Sequence, residues 1–115
     1  RQLDGMITMA KAVVDAALLR DECRGAHSKP AFDNPAPSKE TPIDDPAWTA
    51  YYEKFLVQTQ TWLKTTVAKY DPSKSHPVIE YKPVDTRHLS PEPRDYTGVG
   101  KKAWKKFMDK RQAQA

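Results

Sequence analysis

One cysteine among 115 residues excludes an intrachain disulfide framework and fits a reducing compartment, so a cytosolic setting is the starting expectation. Glycine is almost as scarce. No Gly-x-Gly-x-x-Gly or Gly-x-x-x-x-Gly-Lys pattern occurs, and Gly98 and Gly100 form an isolated pair, so a complete dinucleotide site is not expected in this chain. Histidine is thinly spread as well: His27, His76 and His88 lie far apart with no Cys-x-x-Cys or His-Glu-x-x-His, and no metal site is expected. No apolar run approaches the roughly 20 residues of a membrane-crossing helix. The N-terminus also lacks the charged, apolar, then small-residue order of a signal peptide. The first residue is Arg1, with helical periodicity already under way by Leu3, which suggests a piece cut from a longer polypeptide.

What is abundant is proline and charge. Ten prolines against four glycines predict stiff connections around one small core. The net charge of +4 is unevenly placed: residues 97–115 carry six cations against one anion, whereas residues 1–96 are close to balanced. The high isoelectric point therefore belongs to the tail, which argues against nucleic-acid binding by the whole domain.

Between Gln2 and Cys23 the apolar residues Leu3, Met6, Ile7, Ala10, Val13, Val14, Ala17 and Leu18 recur every three or four positions. That spacing predicts a helix with one buried face, ending near Gly25 with Arg20 and Arg24 at the negative end of its dipole. Five prolines between Ser28 and Pro46 predict an extended crossover. Asp45-Pro46 then reads as an N-cap and first-turn proline, opening a second helix to about Lys69. Its aromatic face of Trp48, Tyr52, Phe55 and Trp62 is expected to form a core or interface stripe, and a hairpin of these two helices is the expected core. Val78–Lys82 predicts a short edge strand bounded by Pro83, which needs a partner elsewhere. A final helix is expected from Val99 to Gln112, with lysines opposite Ala103, Trp104, Phe107 and Met108.

The stretch Asp21-Glu22-Cys23-Arg24-Gly25-Ala26-His27 carries the densest potential chemistry. Cys23 and His27 are four apart, the spacing of a nucleophile and base on one helical face, but Gly25 between them favours a small apolar Cys23 at a helix end. The tail lysines suit a solvated face, nucleic acid, anionic lipid or an acidic protein.

Leu18-Leu19-Arg20-Asp21-Glu22-Cys23-Arg24-Gly25-Ala26-His27, with Lys29-Pro30 and Phe32, resembles the arginine-glycine-alanine-histidine segment of succinate dehydrogenase and fumarate reductase flavoprotein subunits. Asp44-Asp45 and Trp48, Trp62-Leu63-Lys64-Thr65-Thr66 and Tyr70, Ile79-Glu80-Tyr81-Lys82-Pro83-Val84 and Pro93-Arg94-Asp95-Tyr96 are similar to later segments of the same C-terminal domain, in the same order. The departures are Cys23 where the family has serine, Lys29 where arginine is common, about 14 extra residues between Trp48 and Trp62, and a longer lysine-rich tail. Fourteen residues are close to four helical turns at about 3.6 residues each, so the insertion is expected to lengthen the second helix.

The resemblance implies a fold that is mostly α: a long, three-helix-bundle-like helical hairpin, a proline-rich crossover, one short edge strand and a basic C-terminal helix. Residues 1–96 would be the flavoprotein C-terminal domain and residues 97–115 a lysine-rich extension. It implies an FAD-dependent parent that interconverts succinate and fumarate, sited on the cytoplasmic side and joined to the inner membrane through partner subunits. The flavin-binding and capping domains and an iron-sulfur subunit would be this domain's partners. Catalytic and cofactor-binding groups would lie in those other domains, leaving this fragment inactive alone. Arg24, Gly25, His27, Arg94 and Tyr96 are the candidate interdomain anchors; for Arg24 and His27 a purely local cap and turn is the competing reading. Two alternatives remain open: a non-enzymatic helical binding module using its basic tail, and the C-terminal domain of L-aspartate oxidase.

Overall fold

A computed structural model describes residues 1–115. In order the chain forms helix α1 (Gln2–Leu19), a short 3-10 turn (Pro30–Phe32), helix α2 (Pro46–Trp62), strands β1 (Lys64–Lys69) and β2 (Val78–Pro83), and helix α3 (Val99–Ala113). It divides into two compact units: residues 1–33 with 62–85, and residues 34–61 with 86–115.

In the first unit β1 and β2 pair antiparallel, from Lys64 opposite Pro83 to Lys69 opposite Val78. This supplies the partner that the expected edge strand required. The second helix therefore ends at Trp62, seven residues short of the expected Lys69. The reason is local: Thr65, Thr66 and Val67 are β-branched, stiff at χ1 and better suited to a pleated strand than to a helix. Pro83 stands at the very end of β2, where a missing N–H does least harm. The connection turns on Asp71, whose carboxylate accepts bonds from the Ser73 amide at 2.9 Å and hydroxyl at 2.6 Å. Those bonds hold the Asp71 carboxyl below its ordinary range. Lys64 extends its ammonium over Trp62 and Tyr81, 4.8 and 4.4 Å from the ring centres.

The first helix also stops early. It ends at Leu19, with Arg20 already extended, so Gly25 does not cap it as the sequence suggested. The face expected to be buried is not covered within the chain: α1 has no buried residue, and Leu3, Met6, Val13, Val14 and Leu18 are all more than 60% exposed.

The hydrophobic core expected between the first two helices lies instead between α2 and α3. Trp48, Tyr52 and Ala103 are buried, with Tyr51, Val99, Trp104 and Phe107 packed around them. Residues 49–61, between the two tryptophans, are helical throughout. Asp45 caps this helix by accepting the Ala47 amide at 2.9 Å, and Pro46 occupies the first turn. Asp95 organises the start of α3, accepting from the Thr97 and Lys101 amides at 2.9 Å each. These bonds, the Thr97 amide first, lower the Asp95 carboxyl pKa. Gly100 lets this carboxylate approach, since a Cβ there would stand 2.9 Å from Asp95 Cγ.

Tyr52 ties the unit together. It is 2% exposed, stacks against Trp48 at 5.8 Å and donates its hydroxyl to the Gly100 carbonyl at 2.6 Å. Burial, then the neighbouring Tyr51 and Asp95, push its pKa from 10.0 up to about 12. Because folding favours the protonated phenol, this contribution is complete below pH 10 and is lost as pH rises through about 12, at about 1.4 kcal/mol per unit. Urea titrations of the native chain and Tyr52→Phe from pH 9 to about 12 should show the native advantage shrinking with this slope. An advantage independent of pH would contradict a buried, neutral Tyr52.

Candidate functional site

Beyond the end of α1 the backbone is extended at Arg20 and then bends at Glu22, whose amide donates to the Arg20 carbonyl at 3.0 Å. This turn brings Arg20, Glu22 and Arg24 together. Glu22 is 2% exposed and bridges both cations: one carboxylate oxygen accepts Arg20 Nε at 2.5 Å, the other Arg24 Nε at 3.1 Å. A buried carboxylate persists only when paired and hydrogen-bonded in this way.

Arg20 carries the larger share of the organisation. Its remaining guanidinium nitrogens donate to the Trp62 carbonyl at 2.7 Å, the Lys64 carbonyl at 3.0 Å and the Thr66 hydroxyl at 2.9 Å. The planar fork thus fastens the end of α1 to β1 and to the last residue of α2, and it lies 5.5 Å from the centre of the Trp62 ring. Sequence reasoning had placed Arg20 only at a helix dipole and had passed over Glu22. The alternation Arg-x-Glu-x-Arg at period two was the available signal.

Arg24 and His27 form the two rungs of a minimal hairpin, exchanging backbone bonds of 3.0 Å in both directions. Gly25, with φ +58°, is the first of its two central residues, in the left-handed region where glycine is favoured. Gly25→Ala should cost about 1–2 kcal/mol through backbone strain. No other atom lies near enough to obstruct the added methyl. A denaturation midpoint equal to that of the native chain would show that the turn is not strained.

His27 Nε2 lies 2.8 Å from the Arg20 carbonyl. A carbonyl only accepts, so this nitrogen bears the proton. Cys23 Sγ instead faces the backbone of Lys29, 3.2 Å from both its nitrogen and its oxygen. The thiol and imidazole therefore have different partners and do not form a nucleophile-base pair. Lys29 reaches back to the Leu18 carbonyl and pairs with Asp21 at 2.6 Å, closing the open end of α1.

Arg24, Gly25 and His27 thus share one tight turn. Arg94 and Tyr96, in the other unit, form their own exposed pair, with Arg94 Nη1 donating to the Tyr96 hydroxyl at 3.0 Å. The arrangement suits recognition: Glu22 fixes one edge of the 44%-exposed Arg24 guanidinium and leaves other N–H groups available to a carbonyl or carboxylate on an adjoining surface. No cluster of three or more His, Cys, Asp or Glu side chains is placed to hold a metal ion. No helix is long and apolar enough to cross a membrane.

Residues 1–96 match the family described as the fumarate reductase flavoprotein C-term. The chain is also 33% identical over 97 residues to the succinate dehydrogenase flavoprotein subunit of Bacillus subtilis (strain 168). That alignment covers 84% of this chain but 13% of the relative, so the chain spans about an eighth of the length of that protein. No solved structure matches significantly.

Proposed function

The chain belongs to the fumarate reductase flavoprotein C-terminal family, and from that membership we propose that it is the structural C-terminal domain of an FAD-dependent subunit interconverting succinate and fumarate. Residues 1–96 are the family domain in this reading, and residues 97–115 an extension.

The supporting observation is the uncovered face of α1. Leu3, Met6, Ile7, Val13, Val14 and Leu18 are 48–68% exposed along one helix, a stripe that a free-standing domain would bury. The chain corresponds to only 13% of its relative, and the missing cover is assigned to the flavin-binding and capping domains of the same polypeptide. Arg24, Gly25 and His27 anchor that junction, with Arg94 and Tyr96 as a second contact.

FAD would supply hydride transfer in the parent subunit. This chain's residues do not fit a flavin cradle: its positive-φ glycines, Gly25 and Gly98, are isolated turn and cap residues. The only fully buried side-chain polar atom without a partner is the Thr59 hydroxyl. The catalytic step is therefore assigned to the other domains, and this fragment is inactive alone. An iron-sulfur subunit is the proposed electron acceptor, holding the complex on the cytoplasmic face of the inner membrane.

The test is to purify the parent polypeptide and follow its flavin absorbance anaerobically. Bleaching by succinate and recovery with fumarate are expected. Bleaching by L-aspartate alone would favour L-aspartate oxidase, and a parent without flavin would favour a binding module.

A further inference from the structure

The second unit contains a feature that the flavoprotein reading does not use. An open groove of about 700 Å³ runs along α3, with Leu56, Trp104 and Met108 in its lining and Lys101, Lys102 and Lys105 beside them. The three apolar side chains are half-buried, whereas the three lysines are exposed. Lys101, Trp104, Lys105 and Met108 follow the i, i+3, i+4, i+7 spacing of one helical face, so the groove extends along about two turns, or about 10 Å.

The lysines distinguish this groove from ordinary core packing. Lys106 pairs with Asp44, whereas the ammonium groups of Lys101, Lys102 and Lys105 have no carboxylate partner in the chain. Glu92 and Asp109 also border the groove, and Asp109 lies toward the C-terminal end of α3. The lining thus presents an apolar strip flanked by three lysines, with single anions, Glu92 and Asp109, at its borders.

We propose that this groove docks an amphipathic helix of a partner protein, its apolar stripe on Leu56, Trp104 and Met108 and its acidic residues opposite Lys101, Lys102 and Lys105. The three unpaired lysines fix the partner's chemistry: acidic side chains placed opposite Lys101, Lys102 and Lys105, away from Glu92 and Asp109. A trough parallel to a helix suits a second helix laid alongside, whereas a bilayer surface needs no concavity. The site does not depend on the parent being a succinate enzyme, so failure of either reading leaves the other intact.

The test uses the full-length polypeptide and a fluorescein-labelled synthetic helix with leucines at i, i+3, i+4 and i+7 and glutamates flanking its first two turns. Two controls accompany it: a peptide with the same composition in scrambled order, and phosphatidylglycerol vesicles. Fluorescence anisotropy should show saturable binding of the patterned helix, weakened at least about tenfold by Met108→Glu and by the double change Lys102→Glu with Lys105→Glu. The lysine substitutions lie on exposed positions, so retained helicity in that variant separates lost docking from lost folding. Equal binding of the scrambled peptide, or unchanged affinity in the lysine variant, would overturn the proposal. Vesicle binding abolished by the lysine changes, without binding of the patterned helix, would overturn it in favour of a lipid surface.

Discussion

Arg20→Ala should lower the stability of the first unit by about 3–5 kcal/mol, the combined cost of removing one of two cations from a buried carboxylate and stripping three further acceptors of their donor. Glu22, at 2% exposure, would retain only Arg24. The Trp62 and Lys64 carbonyls and the Thr66 hydroxyl would lose their donors at the same time. A loss of this size is a large part of the 5–15 kcal/mol that typically separates folded from unfolded domains. Arg20→Lys should recover little of it, because one ammonium cannot reproduce a fork reaching four acceptors. Urea unfolding combined with amide exchange in β1 checks both variants. A drop below about 1 kcal/mol for Arg20→Ala would mean that the network contributes no more than a surface pair.

Tyr52→Ala should cost the second unit about 3–5 kcal/mol, through the cavity it leaves and the contacts it removes. Its ring lies 5.1 Å from that of Trp104 and 5.4 Å from that of Phe107, and its hydroxyl bonds the first turn of α3 at Gly100. With five lysines and one arginine exposed along it, α3 is held in this chain mainly by the contact of its apolar face with Tyr52 and its neighbours. A lone helix of 15 residues is marginal in water, so α3 should melt with the core. Circular dichroism should show lost helicity together with the lowered midpoint. Helicity equal to that of the native chain would show that α3 stands without Tyr52.

The legibility of these features follows their range. Asp45-Pro46, the strand at 78–82 and the lysine-bearing last helix rest on local chemistry, and each is found where its residues indicate. The end of α2 was misplaced because Thr59, Trp62 and Thr66 continue a helical spacing, while the β-branched Thr65-Thr66-Val67 gains more from pairing with β2. The β-branched run is a local signal, but the strand that it pairs with follows a turn and leaves no mark in the helical periodicity. The apolar stripe of α1 was read correctly as a stripe, but no segment of this chain buries it. In the site, Gly25 was recognised as a left-handed position and assigned to the wrong motif, because Arg20 leaves the helix early to reach acceptors more than 40 positions away in sequence.

The domain's proposed task is support of a flavin-bearing subunit, not chemistry, and Arg24 and His27 are where that claim is most exposed. The most direct measurement is flavin content per polypeptide in the parent subunit carrying Arg24→Ala and His27→Ala, alongside turnover per bound flavin. Reduced flavin loading or subunit assembly, with normal turnover in the loaded fraction, is the expected result. Full loading and assembly would contradict the anchoring role, as would full loading with turnover lost, which would place these side chains in the chemistry itself.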